Sequence, residues 1–200
     1  MGANITKCPI EGLYIIEPIV YGDCNGYLME TYSQKALLEI GVDVLFVQDN
    51  QSMSKKGVLR GLHLQKNHPQ GKLVRVIKGR VFDVAVDVRK GSVTFGKWFG
   101  LELSEQNKRQ FYIPNGFAHG FLVLSDVAEF CYKVTDFFYT NDEIGIAWND
   151  PDIGVQWPCL VGEYDGNACA EGYRLEDGTG IILSDKDRNC LRLKDTFSLV

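Results

Sequence analysis

Residues 72–91 read KLVRVIKGRVFDVAVDVRKG. Valine, isoleucine and phenylalanine crowd this stretch, and Gly79 and Gly91 punctuate it. Branched and aromatic side chains suit a pleated surface, while glycine ends strands. The stretch therefore reads as two strands. Side chains alternate across a strand, so Lys72, Val74 and Val76 share one face, and the valines make that face the inner one. An ammonium on an inner face already suggests that the interior is not wholly apolar.

Working outward, the same pattern recurs. LYIIEPIVYGD (13–23) is extended, with Pro18 favouring a sheet edge. DVLFVQDNQSMS (43–54) reads as a strand that runs into polar residues. GKWFGLELS (96–104), RQFYIPNG (109–116), HGFLVLSD (119–126) and AEFCYKVTD (128–136) are further strands ended by turn residues. One good early helix interrupts them, SQKALLEIG (33–41), with Ser33 as its cap and Gly41 as its stop. Short strands with almost no helix between them predict an antiparallel sandwich or jelly-roll barrel. The polar, Gly-rich run 160–180 is expected to be a hairpin excursion. The tail LSDKDRNCLRLKDTF (183–197) is expected to be a short helix followed by an extended end.

Composition narrows the function. Two hundred residues with 45% apolar content fit one domain with a sizeable core. A net charge of −5 argues against a general nucleic-acid binder. No apolar run is long enough to span a bilayer, so no membrane partner is expected. The start MGANITKCPIEG lacks the basic and apolar blocks of a secretion signal, which points to a cytoplasmic protein. The six cysteines, Cys8, Cys24, Cys131, Cys159, Cys169 and Cys190, form no C-x-x-C pair and read as reduced thiols.

The stretch VLRGLHLQ (58–65) raises a sharper question. In a regular strand Arg60 and His63 would point to opposite faces. They converge only if the backbone is re-aimed, and Gly61 is the residue that permits this. A bulge near Gly61 is therefore predicted. A metal-binding cupin barrel would carry H-x-H at this point; here His63 is followed by Gln65. The companion pattern P-x-G-x-x-H is matched by Pro114, Gly116 and His119. The barrel signature is present, but the ligand set is broken, because glutamine is a poor transition-metal ligand. His68 reads as a loop residue. No metal is expected.

Four long motifs, SMSKKGVLRGLHLQ (52–65), QGKLVRVIKGRVFDVAVDVRKGSVTFGKW (70–98), IPNGFAHGFLVLSD (113–126) and GIAWNDPDIGVQWP (145–158), together with LSDKD (183–187), resemble the dTDP-4-dehydrorhamnose 3,5-epimerase family. The resemblance covers most of the chain. It implies a mostly β, cupin-like antiparallel jelly-roll barrel with a few short helices. A single epimerase domain would span 1–200, its barrel core about 40–157, with N-terminal strands and a C-terminal tail packed on it. The implied substrate is a dTDP-linked 4-keto-6-deoxyhexose, inverted at carbons 3 and 5 on the route to dTDP-L-rhamnose. No cofactor is implied, and the chain has no G-x-G-x-x-G loop.

The resemblance also distributes roles. His63 would be the base, since an imidazole titrates near pH ~6.5 before perturbation, and Asp187 its partner carboxylate. Tyr132 would be the acid on the far face, and Lys72 would stabilise the enolate oxygen. Asp83 is either a counter-ion to Lys72 or a structural pair, and stands outside the catalytic set. For binding, Arg60 would grip phosphate with its planar fork, and Gln48 and Asn50 would bond base or sugar. His119, Glu143, Lys186 and Glu30 match family binding positions. Phe138 would stack on thymine, where the family often has tyrosine. The segment 21–30 would reach the site of a second subunit, implying a homodimer. One departure is Asn25 in DCNG (23–26), where the family usually has a phosphate-contacting arginine. The alternatives are a mono-epimerase acting at carbon 3 alone, a metal-dependent cupin, and a non-catalytic sugar-nucleotide-binding barrel. Intact His63, Tyr132 and Lys72 together argue against the last.

Overall fold

The computed structural model of the chain describes residues 2–158 and 170–198. Expectations about Cys159, Cys169 and the first half of the 160–180 excursion, up to residue 169, fall outside those residues. In chain order the strands are β1 (Ala3–Lys7), β2 (Tyr14–Pro18), β3 (Val20–Asp23), β4 (Gly26–Met29), β5 (Gln48–Lys55), β6 (Leu59–Gln65), β7 (Lys72–Lys78), β8 (Arg80–Asp87), β9 (Trp98–Ser104), β10 (Gln110–Ile113), β11 (Phe117–Val123), β12 (Val127–Val134) and β13 (Glu143–Gly145). The short helices are α1 (Gln34–Glu39), α2 (Asp185–Arg188) and α3 (Leu193–Ser198).

A six-stranded sheet runs β1-β2-β10-β7-β12-β5, and a five-stranded sheet runs β13-β6-β11-β8-β9. Every pairing between these strands is antiparallel. The fold is thus mostly β and antiparallel, as the strand pattern predicts, with the cupin-like form that the family resemblance implies. The two sheets close on each other through Val74, Val76, Phe111 and Phe130 from one side and Val81, Ala85, Leu103 and Phe121 from the other. The far face of the five-stranded sheet is buried as well. There Leu59, Leu62, Val84, Val86, Ala118 and Leu122 meet Ile146, Trp148, Trp157 and Leu183. A sheet covered on both faces needs apolar residues at both parities, which accounts for the nearly unbroken run VFDVAVDV. No helix among the described residues is long and apolar enough to cross a membrane.

Ser33 caps α1, its Oγ accepting from Ala36 N, and Gly41 follows with φ of 80°. Elsewhere the pattern needs correcting. Residues 3–7 form a strand that the sequence reading passes over, and it lies outside β2. β2 is therefore not an edge strand, although Pro18 itself has a neighbour on one side only. Pro18 pairs with Ala3 at the end of β2, beyond Ile16 where pairing with β10 begins, so its missing N–H costs that ladder nothing. In 43–54 the apolar half is irregular, and the strand is the polar half, Gln48–Lys55. β5 is the outermost strand of its sheet, where alternating exposure tolerates polar residues. The tail does not end extended: α3 follows α2, and buried Asp150 accepts from Leu193 N at 2.7 Å at its start. The described end of the excursion makes a tight antiparallel turn, with Leu175 N donating to Thr179 O at 2.8 Å.

The predicted irregularity at Gly61 is present. β6 pairs with β11 at His63↔His119 and again at Arg60↔Phe121, so three steps on β6 match two on β11. Gly61 sits at φ of 108°. The extra residue turns Leu59 and Leu62 to the outer core and leaves Arg60 and His63 together on the cavity side.

Candidate active site

Between the sheets, at the end not filled by apolar side chains, lies a cavity of about 320 Å³. His63 from β6 and His119 from β11 line one wall; Lys72 from β7 and Tyr132 from β12 line the opposite one. Arg60, Phe138, Glu143, Lys186 and Asp187 complete it. These residues are far apart in the chain. Three of them (Lys72, His119 and Tyr132) share strand parity with the core residues Val74, Phe121 and Phe130.

His63 is held by one carboxylate and faces a second. Its Nε2 lies 2.5 Å from Asp187 Oδ1, and its Nδ1 lies 3.3 Å from Glu143 Oε1. With Nε2–H donated to Asp187, Nδ1 is the nitrogen left to take a proton. Asp187 is delivered by the tail. Leu59 N donates to Ile182 O and Ala147 N to Leu191 O, and α2 hangs between these two ties. Ser184 caps α2: its Oγ accepts from Asp187 N at 3.1 Å and donates to Asp187 Oδ2 at 2.7 Å. Burial alone would raise the Asp187 pKa, but His63, then Ser184 and Lys186, hold it below the usual carboxylate range. The Ser184 cap is legible in SDKD as a serine three residues before the acid.

Tyr132 has its pKa pushed up by burial and by Glu143, against Arg60, so its phenol keeps its proton and can donate it. Lys72 is the opposite case. Burial pulls its pKa down to about 8, while Glu143 and Asp83 favour the charge and Lys186 opposes it. Asp83 is fully buried and meets His119 Nε2 at 3.0 Å. Burial is the largest influence on both, driving Asp83 up and His119 down, each toward its uncharged form. Of the two roles open to Asp83, the direct contact is thus with His119, and its effect on Lys72 acts through space.

Arg60 Nε donates to Ser54 Oγ at 3.1 Å, leaving the rest of the guanidinium for the cavity. Lys186 Nζ pairs with Glu143. Gln48 donates to Asn50 Oδ1 at 2.8 Å, and with Phe138 and Tyr132 these two line a smaller hollow continuous with the mouth. Phe138 is half exposed there. Glu30 is not brought to the cavity of its own chain: it lies beside α1, near Ser33 and Ala36. Asn25 is also remote, at the exposed tip between β3 and β4, where it bonds Asp23.

The donor set does not fit a cupin metal. One imidazole nitrogen of His63 is taken by Asp187, and Nε2 of His119 by Asp83. Gln65 turns its amide away, donating to His68 O and Phe137 O and accepting from Tyr139 N. His68 bonds Asp142 in a loop. Among the described residues no group of three or more His, Cys, Asp or Glu is arranged to hold a metal ion. Sequence reasoning discarded Gln65 as a poor ligand and missed Gln70; both bind main chain, a role that leaves no motif.

The family model for dTDP-4-dehydrorhamnose 3,5-epimerase matches residues 7–195. The dTDP-4-dehydrorhamnose 3,5-epimerase of Methanothermobacter thermautotrophicus is 50% identical over 94% of this chain and 94% of its own. That of Pseudomonas aeruginosa is 55% identical over 92% of each. Among solved structures, the Legionella pneumophila dTDP-6-deoxy-D-glucose-3,5-epimerase in complex with dTDP-4-keto-L-rhamnose is 47% identical. It matches with a TM-score of 0.84, over 96% of this chain and 93% of that one.

Proposed function

Because the chain belongs to the dTDP-4-dehydrorhamnose 3,5-epimerase family, we propose that its cavity inverts carbons 3 and 5 of dTDP-4-dehydro-6-deoxy-D-glucose, giving dTDP-4-dehydro-L-rhamnose. The keto group at carbon 4 acidifies the hydrogens on both neighbours. His63 Nδ1 takes one of these protons, and the C–H electron pair moves into an enolate whose charge rests on the carbon-4 oxygen. Asp187 stabilises the imidazolium that forms. Lys72 faces the enolate oxygen as an ammonium; a preorganised donor in such a role is worth about 3–4 kcal/mol in the transition state. Tyr132 returns a proton to the opposite face of the carbon, and inversion follows. Exchange with water takes the proton off the His63 imidazolium and returns one to the Tyr132 phenolate, after which the same pair serves the second carbon. A positioned acid or base of this kind contributes roughly a hundred- to ten-thousandfold.

The single observation that carries this reading is the opposition of His63 on β6 and Tyr132 on β12 across one cavity. Arg60 and Lys186 gather positive charge in a chain of net charge −5, which suits a diphosphate, and His119 beside them is a neutral imidazole. Phe138 offers a ring to thymine, and Gln48 and Asn50 offer amides to base or sugar. We further propose a homodimer in which the segment 21–30 crosses to the partner and brings Glu30 to the partner's cavity. One 1–200 domain would act as the unit, in the cytoplasm.

The test is turnover of the 4-keto sugar nucleotide in deuterated water, followed by NMR. Label should enter at carbons 3 and 5. Label at carbon 3 alone would make the enzyme a mono-epimerase. His63→Asn should abolish exchange at both positions, and persistent exchange would remove His63 from the mechanism.

A further inference from the structure

We propose that Gln65 is a positioning residue: with Gln48 and Gln70 it fixes the main chain that presents the Phe138 ring at the cavity mouth. This rests on the reading of Phe138 as the ring that stacks on the nucleotide base. The three glutamines come from three places in the fold: the start of β5, the end of β6 and the segment before β7. Their side chains bond four consecutive residues. Gln70 Nε2 donates to Asp136 O at 2.8 Å, and Gln65 Nε2 to Phe137 O at 3.0 Å. Gln48 Oε1 accepts from Phe138 N at 3.2 Å, and Gln65 Oε1 from Tyr139 N at 2.7 Å.

Residues 137–139 belong to no helix or strand, and the Phe138 side chain is half exposed. Core packing therefore does not set the ring's place; the main-chain bonds do. Gln65 holds the residues on both sides of Phe138 while itself only 4% exposed, and it uses its second donor on His68 O at 2.7 Å. A neutral amide alone can do this, because a carboxylate has no donor and an ammonium no acceptor. Position 65 is also where the metal-type barrel pattern would put its second histidine. Here that position serves the nucleotide end of the site. A ring held in place before the ligand arrives need not be ordered on binding, so the benefit falls on affinity.

The test is a double-mutant cycle read by calorimetric binding of thymidine diphosphate, with KM and kcat measured alongside. Gln65→Leu should weaken binding about tenfold, the equivalent of one or two lost buried hydrogen bonds. KM should rise in parallel while kcat stays within about twofold. In a Phe138→Ala background the same change should leave the dissociation constant nearly unmoved, because the ring it positions is gone. An equal loss in both backgrounds, or a fall in kcat without a rise in KM, overturns the proposal. Should Gln65→Leu not fold, Gln70→Ala removes the Asp136 tie and must show the same dependence on Phe138. A wild-type chain that fails to hold thymidine diphosphate overturns the substrate reading itself. Normal binding with no Gln65 effect overturns only this inference.

Discussion

Lys72 shows what the site costs at the scale of one residue. Burial pulls its pKa from 10.5 down to about 8. Below about pH 8 the ammonium is present, and above it is lost; kcat/KM should therefore fall on the alkaline side of pH 8. Lys72→Arg keeps its charge throughout this range, so the alkaline limb of its residual activity should move upward. An unmoved limb would assign it to another group. Stability has the opposite sign. Between pH 8 and 10.5 the unfolded chain holds the Lys72 proton that the native chain has released, so this group makes stability rise with pH. At pH 7 the buried charge is a burden on the fold. Lys72→Met should then raise Tm while lowering kcat, as thermal unfolding and turnover of the same preparation would reveal.

At the scale of elements, the decisive feature is the crossing of β6 and β11. A Cβ on Gly61 would lie 2.6 Å from His119 O and 2.7 Å from Gly120 Cα. One on Gly120 would lie 2.6 Å from Arg60 O. The two strands approach this closely because neither carries a side chain there, and that approach carries the bulge that aligns Arg60 with His63. Gly61→Ala should cost about 2 kcal/mol or more, from the backbone conformation and the overlap together. Gly91→Ala is the control: φ there is also positive, at 82°, but a Cβ would meet nothing. Urea midpoints that drop equally for the two variants would mean that close approach is not what demands glycine at 61.

At the scale of the whole molecule, the hairpin β3–β4 stands apart. It forms its own two-stranded sheet and exposes Val20, Tyr21, Tyr27 and Leu28. Lys108 over the Tyr27 ring at 4.3 Å ties it to the barrel. A lone hairpin of this kind is marginal in water, and this one suits a second subunit. If its tip reaches the partner's cavity, Asn25 stands where a cation would meet phosphate. Asn25→Arg should then lower KM by about tenfold with kcat little changed, the worth of one charge-assisted hydrogen bond. A sedimentation experiment showing monomers, or an Asn25→Arg enzyme with unchanged KM, would count against the exchanged hairpin.

How much of this could be read from the chain varies with the kind of force involved. Periodicity and turn residues determined the β architecture, the capped helix at 34–39 and the inner parity of Lys72, because these follow from steric rules between neighbours in sequence. The conflict of parity in LRGLH was enough to demand a bulge at Gly61. Edge positions were not legible: whether 48–55 or 43–47 forms the strand, or whether the strand carrying Pro18 lies at an edge, depends on which strand lies alongside. Nor was the pairing of Asp83 with His119 rather than with Lys72, the role of Gln65, or the distance of Glu30 from its own chain's cavity. The amino-acid sequence by itself determined the strands and the stock of acids, bases and amides. Only the tertiary structure decided which of them meet, because a hydrogen bond or an ion pair forms at about 3 Å between groups that the chain separates by tens of residues.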